Sequence, residues 1–164
     1  MGCNISLGDV VEICDSLREP LSARQRETRA GIYPYYGAQG IVDYLDDYSY
    51  EGEYLLVAED GENLRSRKQP IANMVAGKFR VNNHAHVVQG TSKARLQYIY
   101  YILNMLDIGP YVTGSTQPKL SQKSLSQIEI ELPSIEQQDT ILALIVPLDK
   151  KISLNNQIND YLAA

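Results

Sequence analysis

A seven-residue repeat near the C-terminal end restricts the fold of this 164-residue chain more than any other feature. Its members follow one another at alternating spacings of four and three residues: Ile141, Ile145, Leu148, Ile152, Asn155, Asn159 and Leu162. This spacing is typical of a helix that packs against a second helix along one seam. Ser134, with Gln137 three residues later, fits a capping box at the start of such a helix. We therefore expect a coiled-coil-type helix over residues 134–164. The alternative is a helix that packs on its own domain.

The predicted C-terminal helix contains a proline. Helical from 135 to 162, the segment would be roughly 40 Å long, more than a domain of this size requires. Pro147 lies near its middle, has no backbone N–H and should bend or break the helix. The sequence therefore predicts one bent helix or two helical pieces.

Residues 1–133 combine short strand patterns with one helical pattern. A short apolar run between two glycines, at 53–60, is typical of a buried strand. Apolar side chains at helical spacing predict an amphipathic helix over 92–107. Residues 70–90 fit two or three strands, with a turn at 76–77. We predict an α/β (mixed α+β) domain over 1–133, followed by the helix as a second unit.

Charge is distributed unevenly along the chain, although the net charge is only −5. Residues 1–63 contain 4 basic and 13 acidic side chains, whereas residues 64–128 contain 9 basic side chains and one acidic side chain. Residues 129–164 contain 2 basic and 6 acidic side chains. A basic segment of this kind suits a polyanion, because phosphate contact depends on local charge. The alternative is that the acidic and basic segments pair with each other across the fold.

Tyrosine is concentrated in one part of the chain. Residues 33–54 hold seven of the twelve tyrosines, next to turn-forming glycines at 37 and 40. Such a segment forms either a binding surface or a scaffold that buries large rings and hydrogen-bonds their hydroxyl groups.

Motifs for catalysis are weak. His84 and His86 would face one side of a strand, where a nearby carboxylate would complete a metal site. Acidic residues at 43–47 and 58–62 would similarly suit a metal-dependent nuclease. The chain has only two histidines, and a solvated acidic face explains the carboxylates more simply. We predict no catalytic residue, no metal and no cofactor, with a stand-alone nuclease as an alternative.

Nothing in the sequence predicts a membrane protein. No run approaches the ~18 apolar residues that span a bilayer. The N-terminus lacks the basic and apolar regions of a signal peptide. Its first residues, MGCNIS, match the short N-myristoylation pattern, which by itself is not specific. We expect a cytoplasmic protein.

Three long strings resemble the specificity (S) subunit of type I restriction–modification systems. They are YPYYGAQGIVDYLDDYSYEGEYLLVAEDGENL, PIANMVAGKFRVNNHAHVV and GSTQPKLSQKSLSQIEIELPSIEQQDTI. The resemblance extends from about Leu7 to Leu162. It implies a non-catalytic target recognition domain that reads one half of a split DNA sequence, followed by a spacer helix that docks methyltransferase subunits. In that family the tyrosine-rich stretch behaves as scaffold.

The chain departs from the usual pattern of the family, which has two recognition domains and two spacer helices. One of each implies a half subunit. Such a half would dimerise through its helix, and its DNA target would be an interrupted palindrome. The implied partners are double-stranded DNA, methyltransferase subunits and a second copy of the chain, with restriction subunits as a further candidate.

Candidate DNA contacts lie in three polar loops and one glycine turn. They are Arg24, Arg26 and Arg29; Tyr36 and Gln39; Arg65, Arg67 and Lys68; and Ser115, Thr116, Gln117 and Lys119. Arginine and lysine suit phosphates or guanine, and glutamine pairs with adenine. The alternative for each is a solvated loop. A module that binds only protein, through its helix, remains the other alternative for the whole chain.

Overall fold

The computed structural model describes residues 3–163. Met1 and Gly2, with which the N-myristoylation pattern begins, lie outside the described residues, as does Ala164. The strands are β1 (Cys3–Ser6), β2 (Val11–Ile13), β3 (Ala30–Gly37), β4 (Gly40–Leu45), β5 (Tyr50–Ala58), β6 (Ala72–Val81), β7 (Ala85–Gly90) and β8 (Glu129–Leu132). The helices are α1 (Ala23–Glu27), α2 (Asn63–Ser66), α3 (Leu96–Met105), α4 (Gln122–Ser126) and α5 (Ile135–Ala163). Short 3-10 turns cover Leu7–Asp9, Asp15–Leu17 and Gly109–Tyr111.

Six strands form one sheet in the order β2-β7-β5-β6-β3-β4. Neighbouring strands are antiparallel except β3 and β6, which are parallel. β1 and β8 form a separate antiparallel pair, so the first and last strands of the domain lie side by side. The predicted mixed α/β domain followed by a long helix is confirmed.

The ribbon formed by β5 and β6 is bent at a pair of glycines. Gly52 lies directly opposite Gly77 in the register. Both have positive φ, 130° and 95°, a conformation that residues with a Cβ rarely adopt. The predicted turn at 76–77 is therefore wrong, because β6 continues through Gly77 and the turn to β7 lies at 82–84.

The short connection between β6 and β7 requires the sheet to curl. β5 stands between β6 and β7, yet three residues connect those two strands. Such a short connection requires the end of β6 to curve back toward the start of β7. The segment 14–19 spans the remaining gap with two backbone hydrogen bonds: Cys14 N–H to Val87 O (2.7 Å) and Glu19 N–H to Val81 O (3.0 Å).

The core has two parts, one on each face of the sheet. Side chains alternate along β5, so Leu55 and Val57 enter the first part and Leu56 enters the second. The first part packs against α3 and α4, and its largest members include Leu7, Ile99, Leu103, Leu120 and Leu125. The second part lies inside the curl and contains Tyr50, Val75, Phe79, Val81 and Val87.

The tyrosine-rich segment is largely scaffold. Tyr50 stacks on Phe79 with ring centroids 5.5 Å apart, and Tyr36 and Tyr54 meet the same phenylalanine edge-on. The Tyr50 hydroxyl donates to Cys14 O at 2.7 Å. Burial of the large rings and hydrogen bonding of the polar tip together explain why tyrosine suits these positions.

Helix α5 begins on the domain and ends free of it. Gln138 is fully buried, and its side chain accepts from Arg95 N–H at 2.8 Å. The Tyr101 hydroxyl donates to Asp149 at 3.1 Å. Burial is the larger cause, and this hydrogen bond the second, that raises the pKa of Tyr101 to about 12.

From Pro147 to Leu162 every side chain of α5 is exposed. The sequence predicted one bent helix or two helical pieces, and the structure shows a single helix that continues through Pro147.

The predicted boundary between 133 and 134 lies in the two-residue connection between β8 and α5. No helix in the range 3–163 combines the length and the apolar character needed to cross a membrane.

Candidate nucleic-acid interface

Four loops meet at one end of the curled sheet. They are the turn 37–40 between β3 and β4, the loop 59–62 after β5, the turn 82–84 between β6 and β7, and the loop 113–119. Backbone hydrogen bonds connect these segments or the strand ends next to them: Asn82 N–H to Tyr36 O (2.9 Å), Glu59 N–H to His84 O (2.9 Å) and Gly61 N–H to Pro118 O (3.1 Å). Residues that are far apart in the sequence therefore form one continuous polar surface.

The structure joins two of the predicted DNA loops directly. The guanidinium of Arg65, in α2, donates to Ser115 O at 2.9 Å and also to Gly114 O. Lys119 lies at the other end of the same loop, with its Nζ 3.2 Å from a Glu59 carboxylate oxygen. Between them, the side chains of Ser115, Thr116 and Gln117 are exposed.

A cleft of about 610 Å³ lies among the other three loops, 37–40, 59–62 and 82–84. Gln39, one of the predicted DNA contacts, lines it together with the turn residues Asn82, Asn83 and His84. His84 Nδ1 lies 2.7 Å from Asp60 Oδ2, which holds the ring at the rim of the cleft. The two asparagines were not among the predicted DNA contacts. A consecutive polar triplet between two apolar strands is the pattern that could have revealed them.

Tyr36 and Arg24 differ in how accessible they are. Tyr36 is half-buried against Phe79, with ring centroids 5.7 Å apart. Arg24 is exposed on α1, two residues before the cleft-lining residue Arg26.

The other two arginines of the first predicted loop form ion pairs within the protein. Arg26 Nε donates to Asp43 at 2.9 Å, and Arg29 Nη2 donates to Asp47 at 2.7 Å. Arg80 also binds Asp47, with contacts of 2.6 and 2.7 Å. Arg26 and Arg29 thus pair within the acidic segment 1–63, whereas Arg80, from the basic segment 64–128, pairs with it across the fold, as the alternative explanation of the uneven charge requires.

Arg67 points into the protein. Its Nη2 donates to the carbonyl oxygens of Leu103 at 3.0 Å and Asn104 at 2.9 Å, at the C-terminal end of α3. Burial lowers the pKa of Arg67, and nearby Asp107 partly offsets this effect. Lys68, the next residue, is exposed.

We expect the substitution Arg67→Ala to destabilise the domain by about 1.5–3 kcal/mol. It removes two charge-assisted hydrogen bonds and leaves two carbonyl oxygens at a helix end without this donor. Lys68→Ala is the matched control, with an expected change within about 0.5 kcal/mol. Urea unfolding of the three proteins measures both values, and equal stability of the two variants would contradict the structural role of Arg67.

The two histidines do not form a shared metal site. His84 precedes β7 and is exposed, whereas His86 is 1% exposed. Within residues 3–163, ligand atoms of Asp15, Glu59 and His86 lie within 4.8 Å of one another. These groups already have partners: His86 bonds Asp15 at 2.6 Å, and Arg18 bonds Glu59 at 2.6 Å. The geometry describes an internal charge network rather than an open ligand set.

Both carboxylates of this network titrate abnormally. Burial alone would raise the pKa of Asp15, but hydrogen bonds from His86 and Val87 outweigh it and lower that pKa. Burial likewise opposes ionisation of Glu59, and the Arg18 hydrogen bond and neighbouring cations lower its pKa overall. The network therefore holds two ionised carboxylates beneath the candidate interface.

Comparison with known proteins assigns the family. The family model described as "Type I restriction modification DNA specificity domain" matches residues 4–164. The chain belongs to this family.

Two curated specificity subunits resemble this specificity-domain chain. A putative type I restriction enzyme specificity subunit of Haemophilus influenzae is 35% identical over 139 residues, covering 85% of this chain and 35% of the relative. The type I restriction enzyme EcoprrI specificity subunit of Escherichia coli is 30% identical over 139 residues, covering 83% and 32%. The chain thus spans about a third of the length of these relatives. Both names designate a specificity subunit, in agreement with the prediction of a non-catalytic protein.

Solved structures show the same fold. The crystal structure of a type I restriction–modification S subunit from M. genitalium matches with a TM-score of 0.73 and 14% identity, covering 98% of this chain and 44% of that chain. A chain from a structural study of assembly and conformational transition of the type I R-M system matches with a TM-score of 0.72 and 13% identity, covering 98% and 41%.

Proposed function

We propose that this chain is a DNA target recognition domain that reads one half of a bipartite target for a type I restriction–modification system. The observation that carries the proposal is the convergence of four polar loops at one end of the sheet in a chain of the specificity family. Methylation and cleavage belong to partner subunits in this proposal, and the chain contributes no catalytic residue.

Exposure and pairing divide the predicted contacts into two groups. Gln39, Lys68 and the loop tip 115–117 are exposed and are proposed to face DNA, as is Arg24. Arg26, Arg29 and Arg67 donate to protein oxygens, so they support the loops. Exposed Lys68 and Arg24 suit phosphates, whereas the hydroxyl and amide groups at the tip suit base edges.

The C-terminal helix is proposed to be the assembly device. Ile141 and Leu142 pack on the domain core, but Leu148 and Ile152 are 62% and 59% exposed. Further along, large apolar side chains stay exposed at Leu154, Ile158, Tyr161 and Leu162. An apolar helix face of this extent normally covers another protein surface.

Pairing with a second copy would give a two-fold symmetric reader of an interrupted palindrome. Methyltransferase subunits, and restriction subunits as a further candidate, would dock on this assembly.

The DNA-binding proposal predicts a salt-dependent affinity that Lys68→Ala reduces. Each phosphate contact contributes about −0.9 to the slope of log affinity against log salt concentration. Anisotropy measurements on a mixed-sequence duplex, with the intact chain alone and with its methyltransferase partner, should give a negative slope. Lys68→Ala should reduce its magnitude by about one. Lys151→Ala, on the free part of α5, is the control and should leave the slope unchanged. Absence of salt-dependent binding in both preparations would favour the module that binds only protein.

A further inference from the structure

The loop 113–119 is closed at its base like a small hairpin. Thr113 N–H donates to Lys119 O, and Lys119 N–H donates to Thr113 O, each at 2.8 Å. The side chain of Lys119 reaches Glu59 at 3.2 Å, and Glu59 in turn accepts from Arg18. The base of the loop is therefore anchored in the internal charge network.

The tip of this loop is a tight turn. Gly114 has a φ of +83°, and a Cβ on it would lie 2.2 Å from Gln117 O. Both facts restrict this position to glycine. The turn directs the exposed side chains of Ser115, Thr116 and Gln117 away from the domain.

Arg65 holds the tip in place from outside the loop. Arg65 donates through Nη1 to Ser115 O at 2.9 Å and through Nη2 to Gly114 O. Its own helix is fixed, because neighbouring Leu64 is 1% exposed and the Asn63 side chain bonds Gln69 O at 2.9 Å. The planar guanidinium thus connects a rigid part of the domain to two successive carbonyl groups of the tip.

We propose that Arg65 is a positioning residue for base readout rather than a DNA contact, and that the loop tip 115–117 is a sequence-reading element. This inference rests on the proposed function. Base edges are discriminated by hydrogen bonds that tolerate little displacement, so a reading loop gains specificity when its conformation is fixed before binding. The sequence alone placed Arg65, Arg67 and Lys68 together as DNA contacts. In the structure, Arg65 and Arg67 donate hydrogen bonds to backbone carbonyl groups, and Lys68 is exposed.

Two substitutions at Arg65 separate positioning from phosphate contact. Arg65→Ala removes both hydrogen bonds, and Arg65→Lys keeps the charge but cannot bridge two carbonyl groups in the same plane. Lys68→Ala removes one positive charge from the same segment without affecting the tip. The probe is a pool of random-sequence duplexes, from which the intact chain with its methyltransferase partner selects its preferred targets.

We expect both Arg65 variants to lose base preference in the half-site and to bind the selected target about tenfold more weakly or worse. Their salt slope on the unselected pool should match that of the wild type. Lys68→Ala should do the reverse, keeping the base preference and reducing the slope by about one. Because the Arg65 side chain is exposed, urea unfolding of each variant should give a stability close to that of the wild type, which separates loss of base preference from loss of folding.

Two results would overturn the inference. Arg65→Lys with wild-type preference and affinity would show that only the charge matters. Arg65→Ala with unchanged preference and a slope reduced by about one would make Arg65 a phosphate contact. Failure of the wild-type complex to select any sequence would instead contradict the proposed function itself, so the two failures are distinguishable.

Discussion

Replacement of Leu148 and Ile152 by glutamate is expected to convert the proposed dimer into a monomer. Both side chains are more than half exposed in the single chain and lie on the heptad seam. Two copies would bury four such side chains, each contributing about 1.5–3 kcal/mol. Glutamate removes that contribution and places like charges across the seam. The dissociation constant should therefore rise at least about 1,000-fold, as measured by sedimentation or light scattering over a range of concentrations.

The matched control for this variant lies on the same free part of α5. Ser153 and Gln157 are exposed and, at 100° per residue, lie on the side of the helix away from the seam. Ser153→Glu with Gln157→Glu adds the same charge and should leave the mass unchanged. A dimer that survives the seam substitutions but not the control substitutions would place the interface on another face. A wild-type monomer would assign the helix to a different partner chain.

Deletion of all residues after 133 would not test whether the exposed part of α5 forms the dimer interface. Gln138 is fully buried, and Ile141 and Leu142 pack on the core of the domain. Removing them would expose that core and leave Arg95 without its Asp139 partner, which now bonds it at 2.7 Å. The first half of α5 therefore stabilises the α/β domain, and the second half, whose side chains are exposed from Pro147 to Leu162, is the part that is free to assemble.

Elements with a strong local period could be predicted from the sequence, whereas the bend in the sheet could not. Helices α3 and α5 each have a helical or heptad period, and strand β5 has a short apolar run; these patterns are defined by the residues of each element alone. The sequence at Gly77 is equally compatible with a turn and with a bent strand. Only the pairing with Gly52, from a distant part of the chain, decides between them.

In the candidate site, the orientation of single side chains could likewise not be predicted from the sequence. Arg67 and Lys68 are indistinguishable as neighbouring basic residues, but one caps α3 and the other is exposed. His84 and His86 were expected to face one side, but β7 begins at Ala85 and leaves His84 in the turn. The partners that fix these orientations are tens of residues away, and a single sequence does not specify them.

The largest expected effect on stability comes from His86→Ala. The ring of His86 lies between two oxygen acceptors, Asp15 Oδ2 at 2.6 Å and Leu120 O at 2.8 Å. Its removal leaves a nearly buried carboxylate and a buried carbonyl without this partner, which typically costs about 3–5 kcal/mol. His84→Ala is the control, because an exposed pair with Asp60 contributes about 0–1 kcal/mol. Urea unfolding at neutral pH measures both variants, and similar losses for the two would contradict the structural role of the network.

The same substitution should also change how stability depends on pH. In the wild type, the lowered pKa values of Asp15 and Glu59 mean that their contribution is complete above the ordinary carboxyl pKa of about 4. It is lost as the pH falls through the lower folded-state values. Without His86, the hydrogen bond and the charge that it contributes no longer lower the pKa of Asp15, so this pKa rises relative to the wild type and the acid loss of stability should begin at a higher pH. Unfolding free energies from pH 7 to pH 3 test this, and an identical pH profile in His86→Ala would show that Asp15 does not depend on His86 for its charge.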